Sequence, residues 1–195
     1  MALYEKAISN LHAKNLIIYL AFADFEELQL RTSNAHEIYK KFLAQEDVDP
    51  TLCYIHYMRF CRRSEGTTSA RSVFKKARED KRASHHVYVA AALMEYFCTK
   101  EKKVASNIFE LGFKKYKDQV GFVTHYLDFL IHLNDDNNTR VLFERVLSAE
   151  TLPASDAKKV WTQFMEFEAT VGDLSSIKKV EKRVLASMTV SIEDF

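Results

Sequence analysis

The chain has 195 residues, of which 47% are hydrophobic and 12% aromatic, with only four glycines and two prolines. This composition supplies ample apolar surface for a core and few residues that interrupt helices, so it predicts an all-α protein. Charged residues break every apolar stretch before the roughly 20 residues that cross a bilayer, and no N-terminal signal peptide is evident, so we expect no membrane association. The three cysteines are odd in number and lack a C-x-x-C spacing, which is typical of reduced thiols in an intracellular protein.

The net charge of +1 conceals a strong segregation of charge along the chain. Residues 1–58 carry 5 basic and 8 acidic groups, residues 59–117 carry 15 and 6, and residues 118–195 carry 8 and 13. The segment 59–117, which we call the basic band, therefore lies between two acidic ends. Segregation of this kind favours electrostatic recognition of a partner.

An internal repeat with a period near 35 residues runs through the whole chain. An aliphatic residue followed by an aromatic residue and a charged block recurs, and the matched aromatic positions 4, 39, 74, 109, 143 and 181 are separated by 35, 35, 35, 34 and 38 residues. A second column keeps the same period at Phe25, Phe60, Met94, Phe129 and Phe167. Two columns with one period near 34 residues predict helix-turn-helix repeats that stack into a solenoid.

The predicted elements follow from this register. We call the two helices of each repeat A and B. Residues 1–14 are predicted to form a B helix without its A helix, and helical pairs follow over 15–48, 51–83, 86–117, 120–150 and 155–190. The predicted fold is a single right-handed α-α superhelix over 1–195. Because both ends lack a complete repeat, we expect the chain to be part of a longer array. Glu181, at the last aromatic position, marks either a helix that faces solvent or one whose neighbour is not a standard repeat.

The aromatic columns predict the core. On the A helices the rings recur every third residue and therefore share one face, and on the B helices each ring follows a small residue by one turn. These residues are predicted to specify the fold rather than a site: Tyr4, Tyr19, Phe22, Phe25, Tyr39, Tyr57, Phe60, Phe74, Tyr88, Phe109, Tyr126, Phe129, Phe143, Trp161, Phe164 and Phe167.

Eight cations of the basic band are candidates for electrostatic docking, and we expect them to surround one connection between helices. They are Arg59, Arg62, Arg63, Lys75, Lys76, Arg78, Lys81 and Arg82. Three interpretations are open: a docking face for an acidic protein, a surface that contacts RNA, or plain solvated helix faces. Against RNA, the chain has no RNP motif and no GXXG loop, and the aromatic residues that could stack on bases are assigned to the core.

No motif predicts catalysis, a cofactor or a metal. The chain lacks G-x-S-x-G, P-loop and G-x-G-x-x-G patterns, because its four glycines stand alone. His125 and His132 share a helical face, but no cysteine or carboxylate completes a recognisable zinc spacing. We therefore expect a protein that is not an enzyme, with no catalytic residue, no cofactor and no metal.

Several segments resemble one repeat family. The A-helix pattern Trp161-x-x-Phe164-x-x-Phe167-Glu168, and residues 70–77 of a B helix, are similar to the HAT (half-a-TPR) motif. More narrowly, residues 49–58, 73–80, 132–146 and 172–183 resemble the HAT-repeat scaffold subunit of cleavage stimulation factor, the suppressor-of-forked family. These stretches include loops as well as repeat positions, and the resemblance spans nearly the whole chain.

This resemblance implies a solenoid of HAT/TPR-like hairpins that corresponds to the C-terminal HAT region of the family. It also implies a nuclear, non-catalytic scaffold in pre-mRNA 3'-end cleavage and polyadenylation, which homodimerises through its later repeats and docks other processing-factor subunits. The alternatives are a HAT protein that contacts RNA through the basic band, and a HAT scaffold of another RNA-processing complex.

Overall fold

The computed structural model describes residues 2–8, 14–149 and 151–193, with side chains as far as residue 187. All of the regular secondary structure in these ranges is helical, which confirms the all-α prediction. No helix in this part of the chain combines the length and the apolar run that a membrane span requires. The helices are α1 Ala2–Lys6, α2 Leu16–Leu28, α3 Thr32–Leu43, α4 Thr51–Ser64, α5 Thr67–Glu79, α6 His86–Met94, α7 Lys102–Tyr116, α8 Val120–His132, α9 Asp136–Ser148, α10 Ala154–Val171 and α11 Leu174–Glu193, and a π-helical turn, Glu95–Thr99, extends α6.

The chain folds as two compact units, Met1–Phe109 and Glu110–Phe195. The first contains the hairpins α2/α3 and α4/α5 together with α6, and the second contains the hairpins α8/α9 and α10/α11. Each of the five sequence ranges predicted as a pair holds two helices, and α1 lies within residues 1–14, the predicted B helix without its A helix, of which residues 9–13 are outside the described residues. Continuity of all pairs in one superhelix stays a prediction.

Four of the five turns from A to B helices reverse the chain through a residue with positive φ, and the fifth, at Gly172, has extended backbone. Leu30, Lys100 and Asn134 have φ of 58°, 61° and 52°, and Gly66 has φ of 92°. This conformation lets the amides beyond the helix end reach back to unpaired carbonyls, as Arg31 N–H does to Glu26 O at 2.9 Å. In these four turns the sharp reversal places the B helix antiparallel to its A helix.

Aromatic residues of B helices stack on the A helix that follows. Tyr4 stacks on Phe22 with ring centroids 5.1 Å apart, and Tyr39 stacks on Tyr57 at 4.8 Å. Phe143 makes the equivalent contact with a ring of α10, at 4.4 Å. The same column thus joins successive hairpins within each unit, and offset stacking adds to the apolar area that it buries.

Small residues allow this close packing. The residue one turn before each B-helix ring is fully buried in four repeats, at Ala35, Ala70, Ala105 and Thr139. Of the sixteen residues predicted as repeat core, thirteen are buried. The other three, Tyr4, Phe25 and Trp161, are partly buried.

Position explains these three exceptions. Tyr4 and Phe25 contact each other at the first interhelical layer, with ring centroids 5.9 Å apart. Trp161 stacks on Phe164, with ring centroids 6.3 Å apart, and also contacts the guanidinium of Arg183, 5.1 Å from its ring centroid. At position 181, where the repeat has lost its aromatic ring, Glu181 is exposed, while Val180, at the aliphatic position of the repeat, is buried like Val73 and Leu142.

Candidate docking surface

The eight candidate docking residues lie in two groups rather than around one connection. Helices α4 and α5 are antiparallel, so the C-terminal half of α5 packs beside the N-terminal half of α4. The hydroxyl of Tyr54 donates to Asp80 at 3.2 Å, and Ser84 N–H donates to the hydroxyl of Thr51 at 2.9 Å, which fixes that end of the hairpin. The expectation of one cluster was therefore wrong, because it ignored the reversal of direction between the two helices.

One group lies on and after the C-terminal half of α5, and its last member is structural. The guanidinium of Arg82 donates to the carbonyl oxygens of Leu43, at 3.1 Å, and Gln45, beyond the end of α3. It also forms a salt bridge with Asp80 at 2.8 Å. Hydrogen bonds from Arg82 hold the pKa of Asp80 below its ordinary value, and burial followed by the Asp80 charge raises the pKa of Tyr54 to about 12. Arg82 thus caps α3 and joins two hairpins.

The remaining cations of this group point outward. Lys75, Lys76 and Lys81 are exposed, and Arg78 is partly exposed. Throughout the described ranges, none of these four forms a salt bridge within 4.0 Å. This end of the hairpin thus carries four cations that have no salt-bridge partner in the described structure.

The other group lies on the C-terminal half of α4. Arg63 donates two hydrogen bonds to the carboxylate of Glu27, at 2.9 and 2.6 Å, and thereby ties α4 to α2. Arg59 is exposed and Arg62 partly exposed, and neither has a carboxylate within salt-bridge distance among the residues that the structure describes. Burial, with a smaller contribution from the charge of Arg59, lowers the pKa of nearby His56.

A groove of about 390 Å³ opens beside these two arginines, between α4 and the end of α6. Phe97, in the π-helical turn, stands at its rim with 52% of its surface exposed. The expectation that all aromatic residues lie in the core is therefore wrong for Phe97. The groove is lined by Ile55, Met58, Arg59, Arg62, Arg63, Ala90, Leu93, Met94, Phe97 and Cys98.

Buried carboxylates at the ends of A helices are a feature that the sequence patterns alone did not reveal. Glu95 is 1% exposed and accepts two hydrogen bonds from Arg71, at 2.6 and 2.8 Å. Glu168 is 2% exposed and is bound in the same way by Arg140, at 2.7 and 3.1 Å. In both, an arginine of a B helix clasps the A helix that follows. Glycine at position 172 is required beside the second pair, because a Cβ there would lie 2.7 Å from a backbone oxygen.

The repeat before the Arg71–Glu95 pair has a histidine at the arginine position. His36 lies within hydrogen-bonding distance of Glu65, at 2.7 Å from Nε2, and of the Tyr57 hydroxyl, at 2.9 Å from Nδ1. Ser69 donates to the other oxygen of Glu65 at 2.5 Å, and these bonds hold the pKa of Glu65 below its ordinary value.

The same cluster holds the only group of potential metal ligands found among the described residues. One ligand atom each of His36, Cys61 and Glu65 lies within 4.8 Å of the others. Both nitrogens of the imidazole already have protein partners, and burial raises the pKa of the Cys61 thiol, which disfavours the thiolate that binds metals. The arrangement is accounted for as a hydrogen-bonded bridge between hairpins.

A further set of salt bridges joins successive B helices of the second unit. Glu110 accepts two hydrogen bonds from Arg145, at 2.8 and 3.1 Å, and Glu144 accepts two from Arg183, at 2.5 and 2.8 Å. The paired residues are 35 and 39 positions apart, so the spacing of the repeat itself could have identified them. Hydrogen bonds from Arg145 lower the pKa of Glu110.

Comparison with known proteins identifies relatives of the whole repeat array. The family profile "Suppressor of forked protein (Suf)" matches residues 1–192. The chain is 54% identical over 179 residues to Protein suppressor of forked of Drosophila melanogaster, which covers 92% of this chain and 23% of that protein. It is 41% identical over 186 residues to Cleavage stimulation factor subunit 77 of Arabidopsis thaliana, covering 95% of this chain and 25% of that protein.

A solved structure supports the fold. The crystal structure of CstF-77 superposes with a TM-score of 0.60 at 17% identity, covering 89% of this chain and 51% of that one. The chain spans about a quarter of the length of the curated relatives it matches. Because the family profile matches residues 1–192 and the identity to the Drosophila relative is 54% over 179 residues, the chain belongs to the suppressor-of-forked protein family.

Proposed function

We propose that this chain is a non-catalytic scaffold in the formation of mRNA 3' ends. The match of the family profile to residues 1–192 carries the proposal, since relatives over this segment include Cleavage stimulation factor subunit 77 and an mRNA 3'-end-processing protein, RNA14, of Cryptococcus neoformans that is 45% identical over 134 residues. Action on pre-mRNA implies a nuclear protein. The polar groups described above support positioning over chemistry, because they tie hairpins to one another.

A scaffold of this kind should compete with the processing machinery when it is present in excess. We expect the purified chain, added to a nuclear extract that cleaves a polyadenylation substrate, to inhibit cleavage in proportion to its concentration. The matched control is a variant with a broken core, Phe143→Ala, at equal concentration. Unchanged cleavage at a large excess of folded chain would contradict the proposal.

Homodimerisation is the second part of the proposed function, and we assign it to the last hairpin. Two apolar residues at the turn between α10 and α11 are exposed, Val171 by 43% and Leu174 by 68%. An interface buries such side chains and gains about 25 cal/mol for each Å² of apolar surface removed from water. We propose that a second copy of the chain buries Val171 and Leu174 in the dimer.

Sedimentation equilibrium tests this interface. We expect a monomer–dimer equilibrium that Leu174→Asp shifts toward monomer, while Leu28→Asp, at an 80% exposed position of α2 in the first hairpin, leaves it unchanged. Aspartate is tolerated in the first turn of α11, which favours a negative charge there, so the variant should stay folded. A wild-type chain that is monomeric across the whole concentration range would refute dimerisation through these repeats.

A further inference from the structure

We propose that the groove between α4 and the end of α6 is a docking site for an acidic peptide segment of a partner protein, one in which carboxylates flank an apolar side chain. The inference deepens the proposed scaffold function and rests on it. Two features of the groove support this proposal. Arg59 and Arg62 have no salt-bridge partner in the described structure, and the aromatic ring of Phe97 is exposed to solvent.

Most arginines of this chain form salt bridges with carboxylates of the same chain. Of the ten in the sequence, seven lie within 4.0 Å of a carboxylate in the described structure, at positions 31, 63, 71, 82, 140, 145 and 183. Two of the three that do not, Arg59 and Arg62, line this groove. Where the fold elsewhere supplies a carboxylate for nearly every guanidinium, a ligand that brings two carboxylates would complete the pattern, with bidentate contacts.

The backbone that carries the exposed ring is anchored by the buried pair of Arg71 and Glu95. Arg71 holds Glu95 at the first residue of the π-helical turn, and the Thr99 hydroxyl donates to the backbone oxygen of the same glutamate at 2.5 Å. Glu95, the first residue of the turn, is thus bound both by Arg71 and by Thr99, the last residue. Phe97 lies midway between Glu95 and Thr99 and lines the groove. Turns of this kind often occur at functional sites, and a turn whose backbone is already anchored loses little backbone entropy on binding.

The floor of the groove favours a peptide over RNA. Between the arginines and Phe97 it is formed by aliphatic and thioether side chains, Ile55, Met58, Leu93 and Met94. These side chains offer no hydrogen bonds to the edge of a base, whereas methionines adapt their shape to apolar side chains of different size. A leucine or phenylalanine of the partner fits the floor, with its neighbouring carboxylates on Arg59 and Arg62.

Selection from a library of displayed random peptides identifies the ligand class directly. The wild-type chain is the bait, and Arg59→Glu/Arg62→Glu is the counter-selection. We expect enriched peptides to share acidic residues around a leucine or an aromatic residue. Enrichment without an acidic bias, or peptides that bind the double variant equally well, would overturn the proposal.

A selected peptide is then synthesised with a fluorescent label and its binding measured by anisotropy. We expect Arg59→Glu/Arg62→Glu to weaken binding by about tenfold or more, and higher salt to weaken it further. Phe97→Ala should weaken binding without any change of charge. The matched control Lys75→Glu/Lys76→Glu makes the same change of charge on exposed residues away from the groove and should bind normally. Circular dichroism of each variant verifies that it is folded.

A labelled oligouridylate in the same assay tests the other class of ligand. Tighter binding of the oligonucleotide than of any selected peptide, lost in the same groove variants, would replace the peptide by RNA. The outcome is separable from the proposed function. Inhibition of cleavage by a chain that selects no acidic peptide removes only the groove proposal, whereas peptide binding without inhibition removes the processing role.

Discussion

Removing the arginine that pairs with a buried carboxylate should destabilise the first unit in a way that depends on pH. Glu95 is 1% exposed, and its pKa is held below the ordinary value first by the hydrogen bonds from Arg71. In Arg71→Met the carboxylate keeps its burial and loses its counter-charge, so its pKa should rise above that of the unfolded chain. The carboxyl can escape by taking up a proton, which limits the cost.

The upper limit on this loss of stability follows from the pKa of an unperturbed glutamate. Protonating a carboxyl with a pKa near 4.3 at pH 7 costs about 3.7 kcal/mol, at 1.36 kcal/mol for each pH unit. Loss of one partner of a fully buried ion pair costs about 3 to 5 kcal/mol. Because the Arg71 side chain is 49% exposed, solvent screens this pair, and the smallest expected cost is below that range. We expect Arg71→Met to destabilise the chain by about 2 to 4 kcal/mol at pH 7.

The sign of the pH dependence distinguishes this mechanism from lost packing. In the wild-type chain the depressed pKa of Glu95 contributes stability that is present above the unfolded pKa and is lost as the pH falls through the folded pKa. In the variant a raised pKa gives a penalty that disappears as the pH falls below it. The difference between the two chains should therefore shrink by up to about 1.4 kcal/mol for each pH unit between neutral and mildly acidic solution.

Urea unfolding followed by circular dichroism at several pH values measures the effect. Lys75→Met, at an exposed site of the same helix, is the matched control and should change stability by less than about 0.5 kcal/mol. Adding Glu95→Gln to Arg71→Met should restore part of the loss, because it removes the unpaired charge. The reasoning is refuted if Arg71→Met costs no more than Lys75→Met, or if its cost is the same at every pH.

Two further predictions concern the core and the thiols. A thiol reagent should modify the exposed Cys98 quickly in the folded chain and reach Cys53 and Cys61 only on unfolding, since both are buried and burial raises the pKa of Cys53 to about 12; three fast-reacting thiols would contradict this. Phe143→Ala should cost about 3 to 5 kcal/mol of unfolding free energy in urea because the ring is fully buried, whereas Val141→Ala, 52% exposed on the same helix, should cost far less; equal losses would contradict the assigned packing.

The repeat was readable from the sequence because one physical requirement recurs in every copy. A ring such as Phe109 needs a small residue one turn earlier and another apolar helix beside it, so the pattern repeats wherever the hairpin does. The A-to-B turns follow the same logic, with Asn134 and Gly66 at left-handed positions. Leu30 and Lys100 adopt the same conformation without a residue type that signals it, so these two turns are set by the packing of the helices on either side.

The surface was harder to predict because charge counts do not record which charges are paired. Laying the repeats side by side would have matched Glu110 with Arg145, one period apart, and would have matched the pair of Arg140 and Glu168 with the pair of Arg71 and Glu95, two repeats earlier. The exposure of Phe97 has no such signal. It depends on the extra residue of a π-helical turn, and residues 95–99 read equally well as the end of an ordinary helix.

Salt bridges within the chain determine which arginines of the basic band are available to bind a partner. Arg63, Arg71 and Arg82 lie in the band, yet each neutralises a carboxylate and joins two helical elements. Reversing their charge would unfold or loosen a hairpin, and a loss of partner binding would then report only on stability. Arg59 and Arg62 stabilise nothing through an ion pair in the described structure, so reversing them changes the field in the groove and little else. A charge-reversal experiment on this surface is therefore informative about recognition only when it begins with the arginines that have no carboxylate.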